Sequence, residues 1–268
     1  MPIEQRKIAT ERGDVAWLDA GSGWPVVLLH GFPFHAEMWR PQLEAVPQGW
    51  RFIAPDFRGF GRTPFHPPAE GSVTMDTYAA DVGALMDALK IEEAVIGGLS
   101  MGGYVAFAMF RQEPARFTSM LLADTKAPGD TAEGRAGRVR LREILAQQGT
   151  PAIADQMLPK LLSTDAPRNV VAGVRGMIEA SAPAAFDAAI EALMKRPDST
   201  PDLPRITCAA LIVVGDRDVI TPVSESEAMR LAIPRSQLAV IPGAGHVSNL
   251  EQPAAFSRVL ADFLLSRL

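Results

Sequence analysis

Short apolar runs recur along this chain, and most lack the polar alternation of a strand that has one face in water. Six such runs are bounded by turn residues, at 26–29, 51–54, 94–97, 120–123, 209–214 and 238–241. Runs of this kind are typical of strands that are buried on both faces. Two further segments near the N-terminus, 6–9 and 15–20, are predicted to form an antiparallel hairpin at the edge of the same sheet.

Helical stretches separate these runs, at about 75–89, 103–113, 224–232 and 252–265. This β–α alternation predicts an α/β fold: a mostly parallel central sheet of about eight strands with helices on both faces.

One long stretch, 125–204, breaks the alternation because it has a helical pattern only. Its candidate helices are 137–147, 152–162, 167–180 and 183–195, separated by Gly- and Pro-containing breakers. We therefore expect an all-helical cap inserted after the sixth strand. The core would then consist of residues 1–124 and 205–268.

The pentapeptide Gly98-Leu99-Ser100-Met101-Gly102 has the form G-x-S-x-G and lies between a predicted strand and an apolar helix. A turn this sharp strains the serine backbone, and glycines at the flanking positions avoid collisions with neighbouring backbone. Amide groups at the helix N-terminus can stabilise a developing oxyanion. Ser100 is therefore the candidate nucleophile. A chance match in a Gly-rich chain is the alternative, and the strand–turn–helix context argues against it.

A serine nucleophile needs a base, and the base needs an acid that orients it. His246 follows the last predicted strand in a Gly-rich loop and is the candidate base. Two acids compete in the loop after 209–214: Asp218, which lies farther out and is favoured, and Asp216, which we expect to bind the turn backbone. Asp124, at the end of the sixth strand, is the outside candidate.

A second loop, which begins with His30, follows the strand at 26–29 and is predicted to lie beside the serine turn. The backbone N–H groups of Phe32 and Met101 are the candidate oxyanion donors. His30 itself is interpreted as a structural histidine that binds its own loop. Apolar side chains are candidates for the substrate pocket, although methionines are more often core residues. The pocket candidates are Phe34, Trp39, Met157 and Met177.

Together these motifs resemble the α/β-hydrolase superfamily over nearly the whole chain, in the order Ser, Asp, His. The motifs are His30-Gly31, the D-x-R-G-x-G-x-[ST] segment 56–63, the serine pentapeptide, the Gly215-to-Asp218 turn, and His246 with 250–253. The resemblance implies that 56–63 is a structured loop after a strand and that 125–204 is a cap over the active site. Within the superfamily, the chain is most similar to small bacterial esterases and hydrolases of the 3-oxoadipate enol-lactonase kind.

The resemblance implies a carboxylic ester hydrolase, an esterase or lactonase that forms an acyl-enzyme on Ser100. The same residues serve C–C bond hydrolases, thioesterases and perhydrolase or haloperoxidase enzymes, which remain alternatives. A non-enzymatic ligand receptor on this fold is a further alternative. Haloalkane dehalogenases and epoxide hydrolases of the superfamily carry Asp at the nucleophile position, which this chain does not.

The composition mainly excludes classes of partner and of binding site. With 26 Lys plus Arg against 31 Asp plus Glu, the formal net charge is −5, which gives no basic footprint for nucleic acid or anionic membranes. One cysteine has no partner for an intrachain disulfide, and no metal-binding spacing or phosphate-binding loop is present, so we expect no metal or cofactor. The N-terminus lacks the apolar core of a signal peptide, and no apolar run reaches about 20 residues. We therefore expect a cytoplasmic enzyme with a small-molecule substrate and no nucleic-acid or membrane partner; the pattern does not specify its oligomeric state.

Overall fold

The computed structural model describes residues 2–68 and 71–267, and within them it forms an eight-stranded sheet in the order β1-β2-β4-β3-β5-β6-β7-β8. The strands are β1 Glu4–Thr10, β2 Gly13–Gly21, β3 Trp24–Leu29, β4 Trp50–Pro55, β5 Ala94–Leu99, β6 Phe117–Ala123, β7 Ala209–Gly215 and β8 Ser236–Ile241. At one edge, β2 pairs antiparallel with both β1 and β4. The other six strands, in the order β4-β3-β5-β6-β7-β8, pair parallel with their neighbours. The predicted sheet and its N-terminal hairpin are confirmed.

Helices cover both faces of the sheet, as predicted. They are α1 Arg40–Glu44, α2 Met75–Ala88, α3 Met101–Gln112, α4 Ala132–Leu161, α5 Arg168–Glu179, α6 Pro183–Lys195, α7 Val223–Ala232, α8 Ser248–Glu251 and α9 Pro253–Leu265. The short helices α1 and α8 were not predicted, because four or five residues are too few to show a helical period. Across the described part of the chain, no helix is both long enough and apolar enough to span a bilayer.

The insert between β6 and β7 contains the helices α4, α5 and α6, which confirms the predicted helical insertion after the sixth strand. The predicted break between its first two helices lies at Gly149, whose φ of 76° interrupts α4. Helix α4 begins at Ala132, earlier than the predicted 137, because the Thr131 side chain accepts a hydrogen bond from the Gly134 N–H and caps it.

The sheet centre is buried, and its register aligns the strand ends. Strands β5 and β7 are buried along their whole length, which explains their continuous apolar sequences. Leu99 pairs with Ala123, and Ala123 pairs with Val213, while Gly215 pairs with Ile241. The loops that follow these four strands therefore leave the sheet side by side at its carboxyl edge, where ligand sites of open α/β sheets lie.

Two glycines permit a backbone-to-backbone approach where α3 crosses β3. A Cβ atom would lie 2.3 Å from the Leu29 carbonyl oxygen if built on Gly98, and 2.2 Å from it if built on Gly102. Both distances are far below van der Waals contact. The predicted steric need for glycine on each side of the serine is therefore confirmed, and it brings α3 close to the loop after β3.

Candidate active site

Ser100 occupies a strained turn between β5 and α3. Its φ of 55° and ψ of −112° lie outside the regions that a non-glycine residue prefers, at a cost of about 1–3 kcal/mol. Its neighbours hold this conformation. The Ser100 N–H donates to the Ala123 carbonyl at 2.9 Å, and the Ser100 carbonyl accepts from the Thr125 hydroxyl at 2.9 Å and from the Gly103 N–H at 2.9 Å.

A hydrogen-bonded chain joins the three residues that the sequence singled out. The Ser100 Oγ and His246 Nε2 atoms are 2.8 Å apart, and the His246 Nδ1 and Asp218 Oδ2 atoms are also 2.8 Å apart. Because a carboxylate only accepts hydrogen bonds, the imidazole donates from Nδ1 and its Nε2 can accept from the serine hydroxyl. This is the arrangement that a general base needs beside a nucleophile.

Asp218 is held rigidly in its turn. Its Oδ1 accepts the N–H groups of Ile220 at 2.8 Å and Thr221 at 2.9 Å, and its Oδ2 accepts the Thr221 hydroxyl at 2.6 Å. Sequence reasoning gave Thr221 no role, although a hydroxyl residue three positions after an acid is a signal for such a turn.

Asp216 binds backbone, but not that of its own turn as expected. Its Oδ1 accepts the Gly243 N–H at 2.7 Å, in the loop that carries His246. The expectation about the turn was wrong because β7 and β8 are neighbours, which places their loops in contact.

The electrostatics of the chain favour a charged imidazole. Burial opposes the positive charge of His246, but the Asp218 charge and hydrogen bond outweigh it, and the pKa of His246 is raised. Burial likewise opposes the Asp218 carboxylate, yet the charge and hydrogen bond of His246, with those from Thr221, lower its pKa. The pair therefore stabilises an imidazolium at His246.

The two predicted oxyanion donors flank the serine turn. Met101 follows Ser100 directly at the start of α3, and Gly31, next to Phe32, lies close to Leu99. His30 shapes the Phe32 loop: its Nδ1 is 2.9 Å from the Gly31 carbonyl, and its Nε2 accepts the Phe57 N–H at 3.0 Å. Burial lowers the pKa of His30 to about 3, so its ring stays neutral and keeps both bonds, in agreement with the predicted structural role.

The loop 56–63 braces this oxyanion loop from behind. The Asp56 carboxylate accepts the Ala36 N–H at 2.7 Å and the Arg62 N–H at 2.9 Å, which joins the two loops. Arg58 anchors the brace to α2 through two hydrogen bonds of 2.5 Å each to the Asp81 carboxylate. The motif segment is therefore a structured support.

The four pocket candidates lie at different depths. Phe34 and Trp39 are fully buried, and the Trp39 ring lies 5.9 Å from the Phe256 ring of α9, on the core side. Met157 of α4 and Met177 of α5 are partly buried and pack against the apolar core. Contact of these four side chains with a substrate stays a prediction.

The helical insert contacts the oxyanion loop directly. The Phe32 ring packs edge-on against the Phe186 ring of α6, with 4.6 Å between centroids. Nearby, the Ser181 hydroxyl donates to the Pro33 carbonyl at 3.1 Å. The position of the predicted oxyanion donor Phe32 therefore depends on where the insert lies.

A second set of hydrogen bonds joins the insert to the loop that carries His246, the predicted base. The His246 N–H donates to the Leu161 carbonyl at the end of α4, at 2.9 Å. The buried Glu251 carboxylate accepts the Gly245 N–H at 2.7 Å, and on its other oxygen the Ser163 N–H at 3.0 Å and hydroxyl at 2.5 Å. The sequence places Glu251 within the motif segment 250–253 but gives no local signal for its role. The structure shows that it ties the loop of His246 to the insert.

The arrangement of the side chains that commonly bind metals gives no candidate metal site in the described residues. Within residues 2–68 and 71–267, no group of three or more His, Cys, Asp or Glu side chains is placed to hold a metal ion. Cys208 lies just before β7, and burial raises the pKa of its thiol. The expectation of a protein without metal or cofactor stays a prediction.

Comparison with known proteins places this geometry in a family. Residues 26–259 match the model of the alpha/beta hydrolase family. This chain belongs to that family. The match begins within β3 and ends within α9, so it includes every loop of the site and the helical insert. The predicted resemblance to the α/β-hydrolase superfamily is confirmed.

Relatives within the alpha/beta hydrolases carry several activity names. An esterase from Thermogutta terrifontis is 38% identical, with a TM-score of 0.92 over 98% of this chain and 99% of that one. A putative non-heme chloroperoxidase from Synechocystis is 33% identical, covering 94% of this chain and 95% of its own. The 3-oxoadipate enol-lactonase 1 of Acinetobacter baylyi is 30% identical, covering 85% and 84%. This chain is therefore an alpha/beta hydrolase similar to esterases and lactonases.

The hydrogen bonds between Glu251 and Ser163 predict a local effect on stability. Replacing Ser163 by alanine removes the hydroxyl donor to a buried carboxylate, and we expect the free energy of unfolding to fall by about 1–2 kcal/mol in urea titrations. Thr164→Ala is the matched control, because Thr164 is exposed and adjacent, and its effect should stay within about 0.5 kcal/mol. Equal effects of the two substitutions would contradict a stabilising hydrogen bond between Ser163 and Glu251.

Proposed function

We propose that this protein is a serine hydrolase that cleaves small carboxylic esters or lactones through an acyl-enzyme on Ser100. The observation that carries the proposal is the 2.8 Å contact between Ser100 Oγ and His246 Nε2, with Asp218 on the other ring nitrogen. The esterase and enol-lactonase among its relatives support the substrate class.

In the first half of the reaction, Ser100 Oγ attacks the carbonyl carbon while His246 Nε2 takes the hydroxyl proton. Asp218 stabilises the imidazolium and holds the ring tautomer. The N–H groups of Phe32 and Met101 are proposed to bind the tetrahedral oxyanion, an interaction that is typically worth about a hundredfold to a thousandfold in turnover for each donor. His246 then protonates the leaving alkoxide as the carbon–oxygen bond breaks.

In the second half, His246 takes a proton from water, and the resulting nucleophile attacks the acyl carbon of the Ser100 ester. The second tetrahedral intermediate collapses, the carboxylic acid leaves, and His246 returns its proton to Ser100 Oγ. Because every proton moves through one imidazole, the enzyme ends each cycle in its starting state.

A second candidate activity is supported by the relative named a chloroperoxidase. Hydrogen peroxide can replace water in the second half, which gives a peracid instead of the acid and leaves the first half unchanged. Thioester and C–C bond cleavage use the same residues and remain alternatives, and a non-enzymatic receptor is the least supported one. A substrate panel of short p-nitrophenyl esters, thioesters, lactones and vinylogous diketones, with and without peroxide, separates these activities.

The helical insert, 125–204, is proposed to act as a cap domain over the core formed by 1–124 and 205–268. Its contacts with both the oxyanion loop and the His246 loop support this division. The cap would then select which acyl and alcohol groups reach Ser100. A cytoplasmic location stays a prediction from the sequence.

The nucleophile is tested by substitution together with covalent labelling. We expect Ser100→Ala to abolish ester turnover, because no other residue can form the acyl-enzyme, and to prevent labelling by a serine-directed phosphonate. The measurements are p-nitrophenyl ester hydrolysis and peptide mapping of the labelled protein. Ester turnover in Ser100→Ala equal to that of the wild-type protein would contradict the proposal.

The acid is tested by three matched Asp-to-Asn substitutions. We expect Asp218→Asn to lower kcat/KM by about a hundredfold or more, because it removes the charge that stabilises the imidazolium. Asp216→Asn should cost less than about threefold, since Asp216 is exposed, and Asp124→Asn should also cost less than Asp218→Asn. If Asp216→Asn or Asp124→Asn is the most damaging change, the assignment of Asp218 is wrong.

A further inference from the structure

A second buried carboxyl lies beside the proposed catalytic chain, and the mechanism above does not use it. Asp124 follows β6 directly, is fully buried, and has a backbone φ of 42°, which is unusual for a residue other than glycine. A buried acid in a strained conformation persists only when its surroundings hold it there.

The carboxyl of Asp124 joins the two loops that carry the proposed acid and base. Its Oδ1 accepts the Gly215 N–H at 2.8 Å, where the Asp218 loop begins. Its Oδ2 accepts the Ser248 hydroxyl at 2.5 Å, two residues beyond His246. One side chain therefore links the ends of β6 and β7 to the segment after β8.

Charged groups surround Asp124 on several elements. Burial, together with the negative charge of Asp218, raises the pKa of Asp124 to about 7, while the charge of His246 and the hydrogen bonds from Ser248 and Gly215 oppose the rise. Asp124 in turn raises the pKa of His246, and Lys126, which is partly exposed, lowers it. On α3, burial raises the pKa of Tyr104, which keeps its hydroxyl neutral. The charge of Asp124 therefore changes near neutral pH.

We propose that Asp124 is a second acid of this site and a positioning residue for His246: it holds the two loops together and, when ionised, adds negative charge beside the imidazole. This inference rests on the proposed serine-hydrolase function. It assigns Asp218 and Asp124 different tasks. Asp218 binds the ring directly, whereas Asp124 acts through the loops and through its charge.

The substitution Asp124→Asn separates charge from geometry. The asparagine Oδ1 can still accept the Gly215 N–H, and its Nδ2 can donate to the Ser248 hydroxyl, since a hydroxyl also accepts. Both contacts can therefore survive while the charge is lost. Asp216→Asn is the matched control, because it is the same change in an exposed residue that also binds backbone.

The acid limb of the kcat/KM profile is the first readout. Hydrolysis needs neutral His246, so activity falls as pH drops through the pKa of His246. Without the Asp124 charge the imidazolium is less stable, and we expect Asp124→Asn to move this limb to lower pH by about half a unit or more. Ser248→Ala removes a hydrogen bond to the Asp124 carboxylate, which makes Asp124 harder to ionise. We expect this variant to move the acid limb in the same direction by a smaller amount. Asp216→Asn should not move it.

A second readout is the coupling between the two acids. Replacing Asp218 by Asn removes a neighbouring negative charge, so Asp124 becomes easier to ionise and its charge then acts on His246 without that of Asp218. We expect Asp124→Asn to cost at least about three times more in kcat/KM in the Asp218→Asn background than alone, the non-additivity of groups that act together. Equal costs in the two backgrounds, with an unmoved acid limb, would overturn the proposal.

A third readout needs no turnover and separates this inference from the proposed function. Imidazole NMR titration follows the His246 pKa directly, and the chain has only four histidines to resolve. We expect a lower His246 pKa in Asp124→Asn than in wild type, with thermal unfolding confirming that both are folded. An unchanged His246 pKa would refute the role of Asp124 even if esters are hydrolysed. Absence of Ser100-dependent turnover with a lowered His246 pKa would instead refute the proposed function.

Discussion

The register of four parallel strands is the constraint on which the rest of the site depends. Because β5 ends level with β6, and β7 and β8 end level with each other two residues farther along, the residues that follow these strands meet at one edge of the sheet. Ser100, Asp124, Asp218 and His246 are far apart in the sequence, and each follows a different strand. A one-residue slip in any pairing would turn side chains to the opposite face and separate them. The apolar sequences of the buried strands therefore fix where these four polar side chains lie.

Close packing and buried charge then act together at this edge. The Ser100 turn exists because Gly98 and Gly102 let backbone approach backbone, and its cost is met by hydrogen bonds to the Ser100 N–H and carbonyl. Asp124, Asp218 and His246 in the neighbouring loops are all buried. A dry surrounding strengthens every charge–charge interaction, which makes the placement of each carboxylate near His246 important.

Much of this arrangement could be predicted from the sequence. The strands, the hairpin and the helical insert follow from apolar patterns, and Ser100, Asp218 and His246 follow from local motifs and their order along the chain. What escaped prediction depends on contacts between distant segments. Examples are the bond from Asp216 to the Gly243 N–H and the link between Glu251 and Ser163. A single sequence carries no local signal for such pairs, because they form only when neighbouring strands bring their loops together.

Depth of burial was equally hard to predict. Phe34 and Trp39 were expected near a substrate because they follow the oxyanion loop, yet their side chains are fully buried, with Trp39 facing α9. The sequence made Asp124 only the outside candidate for the acid, because it too follows a strand. Its two loop contacts, which distinguish it from Asp218, appear only in three dimensions.

The most direct test of the central claim is to trap the acyl-enzyme. Reaction with p-nitrophenyl acetate, stopped by acid within one turnover, followed by intact-protein and peptide mass spectrometry, reports where the acyl group resides. The account predicts one acetyl group, on Ser100, in the wild-type protein and none in Ser100→Ala. Ester turnover without an acyl group on Ser100, or with one on another residue, would contradict it.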